Sequence, residues 1–192
     1  KGIIISCHCE KNEYVPLAKK YRDEGDFVAA EKVLRKAEDE ATKRNLSIAL
    51  ETACPIHIAH CSTKGSLNYV FKAQKKERFK AQVSCEVTPH HACLDFEMDG
   101  LDSELVNPPL RSRKDRKLLV KALAKKNNIM IGTDHAPHTL DDKKKGACGF
   151  SGIETAFSLC YSSLVLKKCF DLKRLSTLMS AEPARRLGLN KG

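Results

Sequence analysis

The chain has 192 residues, of which 42% are hydrophobic, and a formal net charge of +10 from 34 Lys and Arg against 24 Asp and Glu. This length suits one large domain or part of a larger one. No apolar run approaches the ~20 residues of a membrane span, so we expect no membrane insertion. The apolar residues 1–6 are too short for a signal peptide.

The positive charge alone would permit nucleic-acid binding through phosphate contacts. However, the lysine pairs are scattered over helix-like segments, at residues 19–20, 75–76, 125–126 and 167–168. No aromatic residues interleave with these pairs and no nucleic-acid motif is present, so we expect a solvated lysine-rich surface and no nucleic-acid partner. The nine cysteines, an odd number without a CxxC frame, indicate a reducing, cytoplasmic compartment.

Hydrophobic periodicity predicts an alternation of strands and helices along the chain. In chain order we predict a strand at 3–7, a helix at 26–44, a strand at 55–60, a helix at 64–76, a strand at 81–87, a helix at 114–126, a strand at 129–133 and helices at 153–167 and 172–187. Ser112 is the expected N-cap of the helix at 114–126. The last helix is expected to break near Glu182 and Pro183.

A strand followed by a helix, four times over, favours an α/β fold with a parallel sheet. Right-handed crossovers then place the carboxyl ends of the strands on one face. A (β/α)₈ barrel takes ~250 residues, so this chain would supply about half of one. A free four-stranded sheet would instead leave two long parallel edges exposed. We therefore expect residues 1–192 to form the carboxyl-terminal part of a single barrel domain.

Each predicted strand ends in a residue that can bind a metal. His8, with Glu10 beside it, follows the first strand, His60 the second, Glu86 the third and Asp134 the fourth. A lone histidine is more often structural, but four successive strand ends of this kind would meet at one barrel mouth. These ligand types suit a divalent metal such as zinc.

Such a metal suggests hydrolysis of an amide-like bond. It lowers the pKa of bound water to roughly 7 and polarises a substrate carbonyl. Asp134 could bind the metal, accept the proton of the water and return it to a leaving nitrogen. No glycine-rich phosphate loop or serine-based triad motif in the sequence competes with this interpretation.

Six segments occur in the order and rough spacing of one known family. They are HCE at 8–10, IAHCSTKGS at 58–66, CEVTPHH at 85–91, VNPPLRS at 106–112, GTDHAPHT at 132–139 and GFSGIETA at 149–156. Over essentially its whole length the chain resembles dihydroorotase, a zinc amidohydrolase of pyrimidine biosynthesis. VTPHH together with VNPPLR favours dihydroorotase over the related allantoinases and hydantoinases.

The resemblance implies the metal-binding residues. His8 and His60 are similar to the histidines that bind the second metal. Asp134 matches the aspartate that binds the first metal and acts as catalytic acid and base. The implied cofactor is Zn²⁺, with one or two ions in the site. Glu86 lies near the metals in the family and is expected to support a ligand or to bind as an extra one.

The resemblance also implies a substrate site and a barrel position. Asn107 and His138 match residues that contact the substrate, and Cys148 and Gly149 align with a pair whose backbone contacts it. The family often has Pro or Phe where this chain has Cys148. The four predicted strands would be strands 5–8 of a partial (β/α)₈ (TIM) barrel of the metal-dependent amidohydrolase type.

Several other candidate residues have competing interpretations. His57 is expected to face away from the barrel mouth and to pack or lie at the surface. His90 and His91 are expected to support the ligands or the fold rather than to bind the metal, and His135 to orient Asp134 rather than to contact substrate. Arg111 could bind an anionic substrate or equally pin its own loop.

The implied reaction is the reversible interconversion of L-dihydroorotate and N-carbamoyl-L-aspartate. Family members also carry an HxH pair, a bridging carboxylate, an Arg and an Asn on strands one to four, and a flanking β-sandwich. We do not find these in the sequence, and we expect the 192 residues alone to be inactive. One alternative is a non-catalytic scaffold for aspartate transcarbamoylase, and another is a different cyclic-amide hydrolase. A homo-oligomer is expected.

Overall fold

The computed structural model describes residues 3–76, 82–101 and 105–191. Four parallel strands form one sheet in the order β1-β2-β3-β4. They are β1 (Ile5–Cys7), β2 (Ile56–Ile58), β3 (Val83–Val87) and β4 (Ile129–Ile131). Ile56 lies beside Ile5 on one side and beside Val83 on the other. All carboxyl ends therefore lie at the same edge of the sheet, as predicted.

Helices connect and follow the strands. They are α1 (Val15–Asp23), α2 (Phe27–Thr52), α3 (Lys64–Gln74), α4 (Pro89–Cys93), α5 (Arg113–Lys125), α6 (Leu140–Lys144), α7 (Ala156–Cys160), α8 (Leu172–Ser176) and α9 (Glu182–Leu187). A 3₁₀ turn at Asn12–Tyr14 precedes α1, and π-helical turns at Tyr161–Val165 and Thr177–Ala181 follow α7 and α8. Within the described ranges, we find no helix whose length and apolar content would let it cross a bilayer.

The hydrophobic core lies between one face of the sheet and the helices packed on it. Ile58, Cys85 and Ile129 point toward the helices and are fully buried. The alternate residues of β2 and β3 contact one another on the opposite face, where His57 meets Ser84 and Glu86. This alternation is the period of two expected of strands. The helices thus cover one face and leave the polar face as a concave interior.

The described residues contain no strand paired with the outer edge of β1 or of β4. On the β1 side, Ile3 and Ile5 are 84% and 50% exposed. Parallel strands are normally paired on both sides and covered on both faces. These two open edges are therefore where further strands of a barrel would add.

The predicted strands are all present, with shorter bounds, although Ala81 of the third predicted strand lies outside the described residues. The side chain of Ser112 caps α5 by accepting a hydrogen bond from the Asp115 backbone N–H at 3.2 Å, which confirms the predicted N-cap. Helix α2 continues to Thr52, well past the predicted end at residue 44. It stops where Ala53 adopts a left-handed conformation with φ of 54°.

Two helix predictions were wrong in detail. The helix predicted from residue 153 begins only at Ala156, and residues 153–155 form a turn before it. The last helical run does not break at Glu182 and Pro183 but passes from a π-helical turn directly into α9. Pro183 lies at the start of α9, immediately after the π-helical turn.

Candidate active site

The candidate ligands His60 and Asp134 leave their strands through unusual backbone conformations. His60 follows β2 with φ of 34°, and Asp134 follows β4 with φ of 47°. L-residues rarely adopt positive φ, and such residues cluster at functional sites, where the surrounding structure holds the strain. The two turns deliver both side chains to the edge where the parallel strands end.

The imidazole rings of His8 and His60 are in direct contact. The Nδ1 atom of His8 lies 2.8 Å from the Nε2 atom of His60, and the ring centroids are 4.8 Å apart. At this distance one nitrogen donates a hydrogen and the other accepts it. Residues separated by 52 positions in the chain therefore form one cluster at the ends of β1 and β2.

The two rings respond differently to their surroundings. Contact with the Glu10 carboxylate raises the pKa of His8, and this outweighs the effect of partial burial. Burial and the charge of His8 lower the pKa of His60. The carboxylate of Asp134 favours the protonated form of both rings. Asp134 therefore lies within electrostatic reach of the pair from the end of β4.

Glu10 connects this histidine pair to a predicted substrate contact. Its Oε2 atom lies 3.6 Å from the Nε2 atom of His8 and accepts a hydrogen bond of 3.2 Å from the side-chain amide of Asn107. Together these interactions hold the pKa of Glu10 below its usual value despite partial burial. The carboxylate thereby fixes Asn107 beside the cluster, a role that the sequence analysis did not assign to it.

Glu86 lies on the concave face between β2 and β4. Its Oε2 atom is 3.2 Å from the Nε2 atom of His57, whose Nδ1 atom is 2.9 Å from the Ser84 hydroxyl. Burial raises the pKa of Glu86, but the interaction with His57 outweighs it and the net shift is downward. The sequence left open whether His57 is packed or lies at the surface, and the structure shows it buried. The prediction that it faces away from the mouth was wrong, because it points into the same concave face as Glu86.

The loop after β4 brings the remaining substrate candidates together. The ring Nε2 atom of His138 lies 3.1 Å from the carbonyl oxygen of Cys148. The Ala136 backbone N–H donates a hydrogen bond of 3.0 Å to the Phe150 carbonyl oxygen, as part of a parallel bridge between His135 and Phe150. This bridge joins the loop after β4 to the segment around Phe150. A Cβ atom on Gly149 would lie 2.6 Å from the Cβ atom of Ala136, so only glycine fits there. His138 and the backbone at 148–149, which were predicted separately as substrate contacts, therefore lie next to each other in the structure.

A buried carboxylate on α2 holds two of the site loops. Glu38, which is 3% exposed, accepts hydrogen bonds from the Ser62 and Thr63 backbone N–H groups at 2.9 and 3.2 Å. It also accepts a bond of 3.0 Å from the Arg111 guanidinium, and Arg111 donates to the Ser62 hydroxyl at 2.9 Å. Since Arg111 is 2% exposed, it pins its loop, which settles the alternative left open by the sequence. Sequence reasoning missed Glu38 because its partners are distant in the chain.

The two histidines of the VTPHH segment are structural, as predicted. The Nε2 atom of His91 lies 3.1 Å from the Pro108 carbonyl oxygen, and its Nδ1 atom lies 2.7 Å from the Thr88 hydroxyl. A carbonyl only accepts, so Nε2 carries a hydrogen. Burial, together with the charge of Arg111, lowers the pKa of His91 to about 3. Burial likewise lowers the pKa of His90 to about 2.

The candidate ligands form an incomplete set of metal donors. Within residues 3–76, 82–101 and 105–191, no group of three or more His, Cys, Asp or Glu side chains has the geometry to hold a metal ion. His8 and His60 touch, and the charge of Asp134 acts on both rings.

The amino-acid sequence was compared with curated proteins and family models. Dihydroorotase from Clostridium botulinum (strain Eklund 17B / Type B) is 43% identical over 159 residues, which cover 83% of this chain and 38% of the relative. Dihydroorotase from Geobacillus thermodenitrificans is 42% identical over 155 residues, which cover 78% of this chain and 36% of that relative. The chain is a dihydroorotase homologue. It spans well under half the length of these relatives, and no protein-family model matches it.

Solved structures place the dihydroorotase homologue in the amidohydrolase fold. A D-hydantoinase (dihydropyrimidinase) from a Thermus species superposes with a TM-score of 0.84 at 27% identity, covering 96% of this chain and 43% of that one. Dihydroorotase from Campylobacter jejuni superposes with a TM-score of 0.72 at 17% identity, covering 98% of this chain and 48% of that one. The fold is therefore part of an α/β barrel of the amidohydrolase type, as the sequence predicted.

Proposed function

We propose that the complete polypeptide containing this chain is a dihydroorotase, which interconverts L-dihydroorotate and N-carbamoyl-L-aspartate. The observation that carries the proposal is the contact between His8 and His60 at the carboxyl ends of adjacent strands, in a chain 43% identical to a named dihydroorotase. Substrates of α/β barrel enzymes bind at this end of the strands.

The donor set suits zinc as part of a larger site. Two imidazoles and a carboxylate are common zinc ligands. The His8 and His60 nitrogens, which lie 2.8 Å apart, would contribute two of these donors. We propose that His8, His60 and Asp134 bind zinc. When bound, zinc supplies a Lewis acid that polarises the amide carbonyl and activates water.

The residues of this chain would transfer the proton and bind the substrate. Asp134, held on its strained turn, would accept a proton from the attacking water and return it to the leaving ring nitrogen. Asn107, oriented by Glu10, and His138, which lies against the Cys148 carbonyl, would hold the substrate. His60 is buried, and burial strengthens the electrostatic interactions around it.

The direct test measures hydrolysis by the complete polypeptide on dihydroorotate, allantoin and hydantoin, before and after metal removal with a chelator. We expect dihydroorotate to be the best substrate by kcat/KM, with activity lost on chelation and restored by zinc. A preference for hydantoin or allantoin would instead support the other cyclic-amide hydrolases. Absence of all three activities in the metal-loaded protein would favour the non-catalytic scaffold for aspartate transcarbamoylase.

We also propose a cellular compartment and assembly partners for the protein. All nine cysteines are free thiols, which supports a reducing compartment such as the cytoplasm. Assembly into a homo-oligomer and association with aspartate transcarbamoylase remain predictions. Light scattering on the complete polypeptide, alone and mixed with the transcarbamoylase, measures both.

A further inference from the structure

A groove on the outer face of the sheet lies between α3 and α5 and has a volume of about 590 Å³. Its floor is apolar, whereas its walls carry six lysines. The apolar residues are Leu67, Phe71, Leu118 and Ala122, and the lysines are Lys64, Lys72, Lys75, Lys121, Lys125 and Lys126. We name this feature the lysine groove. Lys75, Lys125 and Lys126, which are far apart in the sequence, therefore line the same groove.

The lysine groove follows the helical repeat of both helices. On α3 its residues recur at 64, 67, 68, 71 and 72, with residue 75 just after the helix, and on α5 at 118, 121, 122 and 125. Residues three and four apart share one face of a helix. At about 1.5 Å per residue, the 11 residues of α3 give the groove a length of about 16 Å. That length matches roughly three turns of another helix laid between the two.

The charge of the lysine groove is not balanced locally. Among the described residues, none that line the groove is acidic, and none of its six lysines forms an ion pair with a described carboxylate. The ammonium of Lys126 instead lies 5.3 Å from the centre of the Phe71 ring. An occupant that brought carboxylates to these walls and an apolar stripe to the floor would complement both surfaces.

The position of the groove argues against its being covered by the rest of a barrel. Helix α3 follows β2 and α5 follows β3, so both pack over the middle of the sheet. Further strands would add at the outer edges of β1 and β4. The groove therefore faces outward, on the side opposite the concave face that carries Glu86 and His57.

We propose that the lysine groove docks an acidic amphipathic helix of a partner protein. The proposal goes beyond the enzymatic function and does not depend on it. Leucine-type side chains of the partner helix would contact Leu67, Phe71 and Leu118, and glutamates on its flanks would pair with Lys72 and Lys121. A nucleic acid would match the charge but not the apolar floor, since the single ring there is already covered by Lys126.

The test uses the complete polypeptide and a synthetic helical peptide of about 18 residues, with one leucine stripe flanked by glutamates. Lys72→Glu combined with Lys121→Glu should weaken binding at least about tenfold, measured by fluorescence anisotropy at fixed salt. Lys32→Glu combined with Lys43→Glu is the matched control, because it makes the same charge change on exposed positions of α2. This control should change binding less than about twofold.

Four outcomes would overturn the proposal. The first is equal loss of binding in both double variants, which would indicate only the net charge. The second is equal binding of a peptide with the same composition but a scrambled leucine stripe. The third is tighter binding of a single-stranded RNA of similar charge. The fourth is an oligomer that the groove variant alone dissociates, which would identify the occupant as a second copy of the chain.

Discussion

Arg111 and Glu38 form a buried ion pair with a separation of 3.0 Å between Nη2 and Oε2. The pair joins α2 to the loop that carries Asn107, and the same carboxylate binds the Ser62 and Thr63 backbone just after His60. One side chain on the outer layer thus fixes the spacing of two loops at the candidate site. A catalytic constellation depends on this kind of support, because displacements of about 1 Å lower rates strongly.

Replacing Arg111 tests the strength of this support. Arg111→Met keeps the volume but leaves Glu38 buried without its cationic partner, so we expect the free energy of unfolding to fall by about 3 kcal/mol or more. Urea denaturation of the complete protein measures the loss. Lys19→Met removes an exposed pair with Asp23 and should leave stability almost unchanged. Equal stability of both variants would show that the buried pair does not hold the loops.

The main features of the fold and the site were predictable because they depend on local pattern. Short segments of sequence are enough to predict the four apolar strands, the Ser112 cap and the polar residues at the strand ends. The Glu38 network was not predictable, since its partners Ser62 and Arg111 lie 24 and 73 residues away in the chain. Glu38 also looks like an ordinary polar position of an amphipathic helix.

The direction of His57 shows another limit of sequence reasoning. Counting from His60 assigned it to the wrong face, because the strand ends at Ile58 and the left-handed turn at His60 breaks the alternation. Short helices such as α4 and α6 were also missed. Each has only five residues and is defined by its capping threonine, not by a hydrophobic repeat.

Gly132 allows Glu86 to occupy its place on the concave face. A Cβ atom at this position would lie 2.3 Å from the Oε2 atom of Glu86. We expect Gly132→Ala to destabilise the complete protein by about 1–3 kcal/mol through overpacking. In a Glu86→Ala background the same change should cost less than about 1 kcal/mol, because the clash is gone. Additive losses in a double-mutant cycle would contradict this account.

Gly149 is expected to set the position of the predicted substrate contacts. Gly149→Ala would force its Cβ within 2.7 Å of the Ala136 carbonyl oxygen, so we expect kcat/KM for dihydroorotate to fall at least about tenfold. Gly146→Ala is a matched control in the same loop, since Gly146 also has positive φ but has open space around it. If both variants lose activity equally, backbone strain and not the clash is responsible.

Because His91 is buried, we expect the free energy of unfolding to depend on pH. Its folded pKa is lowered to about 3, whereas an unfolded histidine titrates near 6.5. The unfolded state therefore binds more protons below pH ~6.5, and stability present above that pH is lost as pH falls toward 3. We expect His91→Asn to flatten the dependence of unfolding free energy on pH between about 6.5 and 4.5. An unchanged slope would show that His91 is not the group responsible.

The most direct test of the account is the rate of dihydroorotate hydrolysis by the complete polypeptide carrying Asp134→Ala. We predict that turnover is abolished while the unfolding midpoint stays close to that of the unmodified protein, because Asp134 would act as ligand and proton carrier and not as a core residue. Asp141→Ala, which changes an exposed carboxylate on the following helix α6, should retain activity. Unchanged turnover with Asp134→Ala would contradict the proposed site.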